Sequence, residues 1–224
     1  MCGRFSLKST FQAIEDEFSI EESEIEILPR YNIAPTQDVS AIVNDGQMRL
    51  VSFRWGLIPS WAKDPTIGNK MINARAETLT QKVSFKNALK KRRCLIIADG
   101  FYEWKKAGSE KKPMFIFFKN EKPFAFAGLW ESWKTPEGKF IRTCTIITTT
   151  PNELISPIHN RMPVILRKEY RSYWLEPYNS DETKLVELLK PYPPEEMAAY
   201  EVSKHVNSPK NDSPLCCEPI YSNT

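Results

Sequence analysis

The feature that most restricts the fold is a series of apolar segments joined by short connections in the middle of the chain. Strand-like runs occupy residues 94–98, 99–104, 114–118, 124–130 and 140–148, and turns rich in glycine, proline and lysine separate them. Such short connections join antiparallel neighbours, because parallel strands need a much longer crossover. The pattern predicts a series of antiparallel strands at the centre of the fold.

Other segments predict a hairpin and several helices. Residues 39–43 and 48–55 alternate around Asn44-Asp45-Gly46, which is typical of a hairpin. Asn179 is the expected N-cap of the last helix, with Glu182 in the position of a capping box. Pro151 is expected in the first turn of a helix that runs through Ile158. The predicted helices cover residues 9–18, 85–91, 168–174, 180–189 and, after the threonine run, 151–158.

No internal repeat or linker divides the 224 residues, so we expect one α+β domain over residues 1–224. Residues 56–78 read as a long irregular stretch, and loops of that length usually bind something. From Val202 onward the composition is rich in Ser, Pro and Asn. Composition alone predicts a loop or partial disorder there. We expect the tail from about residue 203 to pack as an extended segment.

The first four residues, Met1-Cys2-Gly3-Arg4, carry the most unusual chemistry. Met1 is expected to be removed because cysteine is small, which leaves an α-amine and a thiol on one residue. The α-amine has a pKa of about 7.7–8.0, so part of it is neutral and nucleophilic near neutral pH. It can capture an aldehyde as a Schiff base, and the thiol can then close a five-membered thiazolidine. Gly3 allows a bulky ligand to approach, and Arg4 suits a phosphate.

Four further residues are candidates for a site. Trp61 can stack on or wedge beside a nucleobase, or it is an ordinary core tryptophan. Asn73 offers a donor and an acceptor, and Arg75 shares its face in an extended chain. Glu103 lies in an aromatic strand, where desolvation would raise its pKa and suit it to accept and return a proton. The alternative for Glu103 is a structural ion pair with an arginine.

His159 is one of only two histidines and stands beside Arg161. It can act as an acid or hydrogen-bond donor, or it is structural. The Cys2 thiol likewise has an alternative interpretation as an ordinary buried or exposed cysteine.

Composition excludes several protein classes. Hydrophobic residues make up 41% and aromatic residues 12% of the chain, as in globular proteins. No apolar run reaches the roughly 18 residues that span a bilayer, and no signal-peptide core is present, so we expect a soluble cytoplasmic protein. Five irregularly spaced cysteines, two histidines and no Cys-x-x-Cys predict neither a disulfide framework nor a zinc site. We expect no metal and no cofactor.

Six segments together resemble the SRAP family, whose name stands for SOS-response-associated peptidase. They are CGR at 2–4, RYNIAP at 30–35, WGLIPSW at 55–61, NARAE at 73–77, GFYEW at 100–104 and IHNRMP at 158–163. Each segment alone is weak, whereas six in order are specific. The resemblance runs to about residue 219 and includes VNSP at 206–209. Many members carry an acidic residue directly after the histidine, where this chain has Asn160.

The resemblance implies a fold, a function and a set of residues. The fold would be a single compact α+β domain with antiparallel, barrel-like sheets flanked by helices. The protein would sense abasic sites in single-stranded DNA and form a covalent thiazolidine crosslink through Cys2, which shields the lesion. It would associate with the nucleoid when bound to DNA. The implied catalytic residues are Cys2, Asn73, Glu103 and His159. The implied DNA-binding residues are Gly3, Arg4, Asn32, Trp61, Arg75, Thr148 and Arg161.

The residues suggest a mechanism for this reaction. His159 would donate a proton to the ring oxygen of the closed sugar, and Glu103 would carry protons to and from the amine of Cys2. Asn73 would hold the amine or the sugar, and the arginines would grip phosphates, which makes binding salt-dependent. Weak lyase activity is expected as a side reaction, since a Schiff base invites β-elimination. The partner is single-stranded DNA, and we expect a monomer without membrane contact.

Three alternatives remain open. Class II glutamine amidotransferases also begin Met-Cys-Gly and use an N-terminal nucleophile. A thiol peptidase is the second alternative, because a cysteine, a histidine and an asparagine form a possible set and a leader peptide would be the nearest substrate. The third is a non-covalent single-strand-binding module, for which aromatic residues and arginines suffice.

Overall fold

The computed structural model describes residues 2–220, so the predicted removal of Met1 lies outside the described residues. The strands are β1 Phe5–Leu7, β2 Glu22–Ser23, β3 Arg30–Ile33, β4 Asp38–Asn44, β5 Met48–Trp55, β6 Asn73–Arg75, β7 Arg93–Ala98, β8 Gly100–Ala107, β9 Glu110–Phe118, β10 Phe124–Lys134, β11 Phe140–Thr149, β12 Met162–Pro163 and β13 Met197–Glu201. The helices are α1 Phe11–Phe18, α2 Val83–Lys91, α3 Lys168–Leu175 and α4 Glu182–Glu187.

Five strands close into a barrel. Strand β10 pairs antiparallel with β7 and β11, β7 pairs with β4, and β4 forms the predicted hairpin with β5. The ring closes because β5 also pairs in parallel with β11, at Arg54 with Thr143 and Trp55 with Cys144. The α+β class and the barrel-like antiparallel sheet are therefore confirmed.

A second sheet covers one side of the barrel. Its strand order is β13-β9-β8-β1-β3, so the N-terminal strand lies between β8 and the edge strand β3. The aromatic rings of Phe5 and Phe101 meet the ring of Phe126 from barrel strand β10, with centroids 5.6 and 6.0 Å apart. Edge-to-face contacts of this kind add to the burial of the rings. They fix the first residues of the chain against the barrel.

The structure confirms three of the predicted helices and corrects two details. Helices α1, α2 and α3 lie where residues 9–18, 85–91 and 168–174 predict them. The predicted cap of α4 is wrong, because Asp181 and not Asn179 accepts the backbone N–H of Lys184, at 3.1 Å. The helix accordingly begins at Glu182, two residues later than predicted.

The predicted helix over residues 151–158 is wrong, and the segment folds as successive turns. Pro157 has no N–H to donate to Glu153 and disfavours helical backbone in Ser156. Asn152 competes with the helix as well, because its Oδ1 accepts the N–H of Ile155 at 3.0 Å. Asn152 also donates to the carbonyl of Tyr192 at 2.7 Å, which anchors the turns to the rest of the molecule.

The tail after β13 packs onto the second sheet. It contains two 3-10 turns, Lys204–Asn207 and Pro214–Cys216, which interrupt its extended backbone. Val206 and Cys216 are buried in a small core with Tyr102 and Phe115. The tail is therefore a structural part of the sheet that carries the N-terminus.

The tight packing of β8 on β9 gives a first prediction. A Cβ added at Gly100 would lie 2.2 Å from Cζ of Phe115 and 2.9 Å from the carbonyl oxygen of Ile116. We expect Gly100→Ala to lower the free energy of unfolding by about 1–3 kcal/mol, as overpacked cores do. Urea denaturation measures the change.

The matched control is Gly108→Asn, at a turn with φ of +62° and no atom within 4 Å of an added Cβ. Asparagine tolerates left-handed backbone, so this variant should stay within about 0.5 kcal/mol of the parent chain. Equal stability of the two variants would contradict the packing argument.

Candidate active site

The second sheet places Cys2 beside Glu103. Phe5 lies opposite Phe101 in the antiparallel pairing of β1 with β8, and the N–H of Tyr102 donates to the carbonyl of Arg4 at 2.9 Å. Because β1 and β8 run antiparallel, the residues that precede Phe5 lie alongside the residues that follow Phe101 in β8. Glu103 is one of these, and its charge acts on the Cys2 thiol.

The barrel supplies Asn73 and His159 through β11. Strand β6, which begins with Asn73, pairs in parallel with residues 146–148 of β11, and β12 pairs with Thr148 and Thr149. His159 lies in the short segment that leads into β12. The Nδ2 of Asn73 donates to the carbonyl oxygen of Cys2 at 2.8 Å. All four predicted catalytic residues therefore come from the junction of the two sheets.

Burial sets the protonation of Glu103. Glu103 is only 3% exposed, and this desolvation raises the pKa of its carboxyl above the ordinary value. The nearby His159 lowers the pKa by a smaller amount. The raised pKa predicted for a desolvated glutamate in this strand is confirmed. A carboxyl with a raised pKa is better suited than an ordinary glutamate to accept and return a proton.

Cys2 is fully buried. Burial raises the pKa of the Cys2 thiol well above its ordinary value, and the neighbouring Glu103 raises it further. A thiolate is the reactive form of cysteine, so a raised pKa disfavours direct attack by sulfur. This setting favours a reaction that begins at another atom of Cys2 or that transfers the thiol proton.

His159 has a backbone partner in either protonation state. Its Nδ1 lies 3.0 Å from the amide nitrogen of Arg161 and 3.2 Å from the carbonyl oxygen of the same residue. A neutral ring accepts the N–H at Nδ1 and carries its proton on Nε2. A protonated ring donates from Nδ1 to the carbonyl. The imidazole can therefore gain or lose a proton without changing its position.

Asn73 presents an unused acceptor. While its Nδ2 binds Cys2, its Oδ1 is buried and has no hydrogen-bond partner among residues 2–220. An unsatisfied buried acceptor costs about 1–3 kcal/mol, so such groups are usually retained for a reason. An amine or a hydroxyl of a ligand would satisfy this oxygen.

Two of the predicted DNA-binding residues are accessible. Trp61 is 57% exposed, so it is not an ordinary core tryptophan, and it lines an open pocket of about 520 Å³ together with Lys63 and Lys70. Arg75 is exposed at the end of β6, two residues from Asn73. Gly3 is half-buried beside Cys2. Aromatic and cationic groups of the kind that bind a single strand are thus exposed at Trp61 and Arg75.

Thr148 and Arg161 are engaged within the protein. Arg161 forms a two-pronged ion pair with Glu77, at 2.6 and 3.0 Å, and donates to the carbonyl of Thr148 at 2.7 Å. The Thr148 side chain is buried and donates to the carbonyl of Ala74 at a long 3.4 Å. Sequence analysis gave Glu77 no role, although it lies in the NARAE segment. These contacts join the loop of His159 to the segment after β6.

Arg4 and Asn32 are also occupied by protein groups. Nη1 of Arg4 donates to Oδ1 of Asn32 and to the carbonyl of Val206, both at 2.7 Å. Asn32 is fully buried, so it does not reach the protein surface. Their predicted DNA contacts stay predictions, while the contacts described here are to the tail. Sequence analysis missed the tail residues Asn207 and Asp212, whose partners are distant in the chain.

Within residues 2–220, no group of three or more His, Cys, Asp or Glu side chains could hold a metal ion. No helix in that range has both the length and the hydrophobicity to cross a bilayer. All five cysteines are free and buried.

A family model described as SOS response associated peptidase (SRAP) matches residues 1–209. The chain belongs to the SRAP family. A Bacillus subtilis relative, the abasic site processing protein YoqW, is 56% identical over 97% of this chain and 99% of its own length. The chicken abasic site processing protein HMCES is 35% identical over 86% of this chain and 66% of its own length.

Solved structures share the SRAP fold described here. A crystal structure of a protein from Bacteroides thetaiotaomicron has a TM-score of 0.89 and 30% identity, covering 98% of this chain and all of that one. A second, from Bordetella bronchiseptica, has a TM-score of 0.78 and 25% identity over 90% of this chain and all of that one.

The buried carboxyl predicts a pH-dependent cost in stability. Because the pKa of Glu103 is higher in the folded chain than the roughly 4.3 of an unfolded glutamate, the folded chain binds more protons in that window. Stability contributed by this group is then present at low pH and lost as pH rises through the folded pKa. Glu103→Gln should remove this loss, and melting temperatures measured from pH 4 upward test it.

The control for this experiment is Glu218→Gln, since Glu218 is exposed. We expect its melting curve to parallel that of the parent chain, while Glu103→Gln gains relative stability with rising pH. Parallel curves for all three proteins would contradict the assignment of a raised pKa to Glu103.

Proposed function

We propose that this chain captures abasic sites in single-stranded DNA by forming a thiazolidine between Cys2 and the ring-opened sugar. The observation that carries the proposal is the hydrogen bond from Asn73 to Cys2, because it joins the N-terminal segment to the barrel that supplies His159. The names of the Bacillus and chicken relatives, which are abasic site processing proteins, support the same substrate. Exposed Trp61 and Arg75 fit an unpaired strand.

The first step needs a free amine and an open sugar. Removal of Met1 supplies the amine on Cys2. The sugar of an abasic site is mainly a closed hemiacetal, and ring opening requires a proton at the ring oxygen as the hydroxyl at C1′ becomes a carbonyl. His159 can donate from Nε2 while its Nδ1 keeps a backbone partner. The result is an aldehyde next to the amine.

The amine then forms the first covalent bond. Its lone pair attacks the aldehyde carbon to give a carbinolamine, and loss of water gives an imine. Glu103 is suited to take the amine proton and return it to the departing hydroxyl, because burial raises its pKa. The free Oδ1 of Asn73 can accept a hydrogen bond from the amine during this step.

The thiol completes the ring. Sulfur adds to the imine carbon, the C=N electron pair moves to nitrogen, and the thiol proton ends on that nitrogen, so no redox partner is needed. The raised pKa of Cys2 fits this order, since the thiol stays protonated until the imine has formed. The same imine can undergo β-elimination of the 3′ phosphate, which gives the proposed weak lyase activity.

The raised pKa of Cys2 disfavours the two hydrolase alternatives. An amidotransferase or a thiol peptidase attacks its carbonyl substrate with sulfur first, which needs a thiolate or a base ready to form one. The neighbouring Glu103 repels a thiolate instead of stabilising it. Self-processing of a leader peptide remains part of the proposal only as a minor activity.

The test of the covalent step uses denaturing gel electrophoresis. Mature protein, with the absence of Met1 verified by mass spectrometry, is mixed with single-stranded DNA that has one abasic site. We expect a heat-stable shifted band that Cys2→Ala cannot form. Cys2→Ser keeps the amine, so it should crosslink only after borohydride reduction of the imine. Undamaged DNA should give no band.

Cys144→Ala is the matched control, because it removes another buried thiol at a distance from β8. It should crosslink like the parent chain. A stable band with Cys2→Ala, or no band from the mature parent chain, would refute the thiazolidine. Glutamine hydrolysis without DNA would then favour the hydrolase.

The role of Glu103 in proton transfer gives a prediction about the rate of crosslinking. Glu103→Gln should slow crosslinking by about 10²–10⁴-fold, the usual contribution of general acid-base catalysis. In the parent chain the rate should rise with pH as Glu103 and the amine lose protons. Single-turnover rates from pH 5 to 9 measure this. A Glu103→Gln variant with the parent rate and pH profile would exclude Glu103 as the proton carrier.

A further inference from the structure

The tail covers the edge of the second sheet with a carboxylate. Strand β3 ends this sheet, so its backbone N–H groups need partners outside it. The Asp212 carboxylate accepts the N–H of Tyr31 at 2.6 Å and that of Asn32 at 3.0 Å, and it also pairs with the guanidinium of Arg30. One side chain of the tail thus replaces the missing neighbour of β3.

Asn32 links three separate segments. Its Nδ2 lies 3.2, 3.0 and 2.6 Å from the carbonyl oxygens of Val206, Ser208 and Asn211. Its Oδ1 accepts from Arg4 at 2.7 Å. The tail, the edge strand and the N-terminal segment therefore meet at one buried amide. Loss of any member leaves polar groups without partners, which is costly in a buried network.

The tail also contacts the residue that follows Glu103. Nε1 of Trp104 donates to Oδ1 of Asn207 at 2.8 Å, and the guanidinium of Arg4 lies 5.9 Å from the centre of the Trp104 ring. On the other side of Glu103, the Tyr102 hydroxyl donates to the carbonyl of Tyr31 at 2.6 Å. Both neighbours of Glu103 are thus bound to groups that the tail holds.

We propose that Arg4, Asn32, Asn207 and Asp212, here called the tail clamp, position Cys2 against Glu103. None of the four is proposed to touch the reacting atoms. Strand β1 has only three residues, and short terminal segments fray unless they are tied down. A displacement of about 1 Å can slow a reaction by about 100-fold. Arg4 holds the tail through Asn32 and the carbonyl of Val206.

This inference rests on the proposed function, and the test separates the two. The variants Asp212→Ala and Asn207→Ala alter exposed positions, which limits damage to the core. Single-turnover crosslinking is followed over a range of concentrations of abasic DNA. We expect the rate at saturating DNA to fall at least 10-fold, with the half-saturating concentration and the salt dependence of binding within twofold of the parent values.

The controls address charge and geometry. Glu218→Ala removes one negative charge from an exposed tail residue, as Asp212→Ala does, and should leave the rate unchanged. Asn207→Asp retains an acceptor for Trp104 and should recover most of the rate. Recovery by the conservative variant is not expected from a mere loss of folded protein, which melting temperatures measure separately.

Hydrogen exchange provides a readout without DNA. In Asp212→Ala, the amides of Tyr31 and Asn32 and those of β1 should exchange faster, while the amides of β10 stay protected. Parent rates in both clamp variants, or a weaker salt dependence of binding without a change in the saturated rate, would overturn the clamp. Failure of the parent chain to crosslink would refute the proposed function instead, and the exchange result would still stand.

Discussion

The parallel contact of β5 with β11 is the constraint on which the barrel and half of the site depend. Without the parallel pairings, residues 143–148 of β11 would have an open edge that could pair with other chains. In the closed barrel, the ten residues Phe140–Thr149 of β11 pair with four strands, namely β10, β5, β6 and β12. Because β6 begins with Asn73 and β12 follows His159, the closure of the barrel also locates two of the proposed catalytic groups.

The other half of the site comes from the second sheet, and its chemistry depends on burial. Glu103 is buried away from water, which raises its pKa and disfavours its charged form. A surface carboxylate would be easier to accommodate but would keep its ordinary pKa. Groups of this kind reduce stability in return for reactivity, as strained or desolvated active sites often do.

Sequence analysis predicted the strands of the barrel and the hairpin because hydrophobic alternation and turn residues are local signals. It also selected Cys2, Asn73, Glu103 and His159. These positions follow from the resemblance over six ordered segments, because no single local pattern identifies them. It failed over residues 151–158, where Pro157 and the side chain of Asn152 outweigh a pattern that favours a helix. That error was avoidable, because a proline six residues after the predicted start at Pro151 interrupts the helical bonds.

The partners of Arg4 and Asn32 were beyond the reach of local patterns. A basic residue beside a reactive cysteine suggests phosphate, and only the fold shows that Val206 accepts its hydrogen bond. Asn32 likewise gives no sign in the sequence that it binds carbonyls more than 170 positions away. Polar groups that satisfy one another across the whole chain are visible only in three dimensions.

The contacts between the tail and the N-terminal segment also affect the order in which the chain folds during synthesis. Arg4 and Val206 are 202 positions apart, so the first strand leaves the ribosome long before the tail that covers it. During synthesis the first residues stay open to processing enzymes, and the cysteine is not yet seated beside Glu103. The candidate site is therefore completed by a segment that emerges about 200 residues after Cys2, and a shorter nascent chain carries Cys2 without the contacts of the tail.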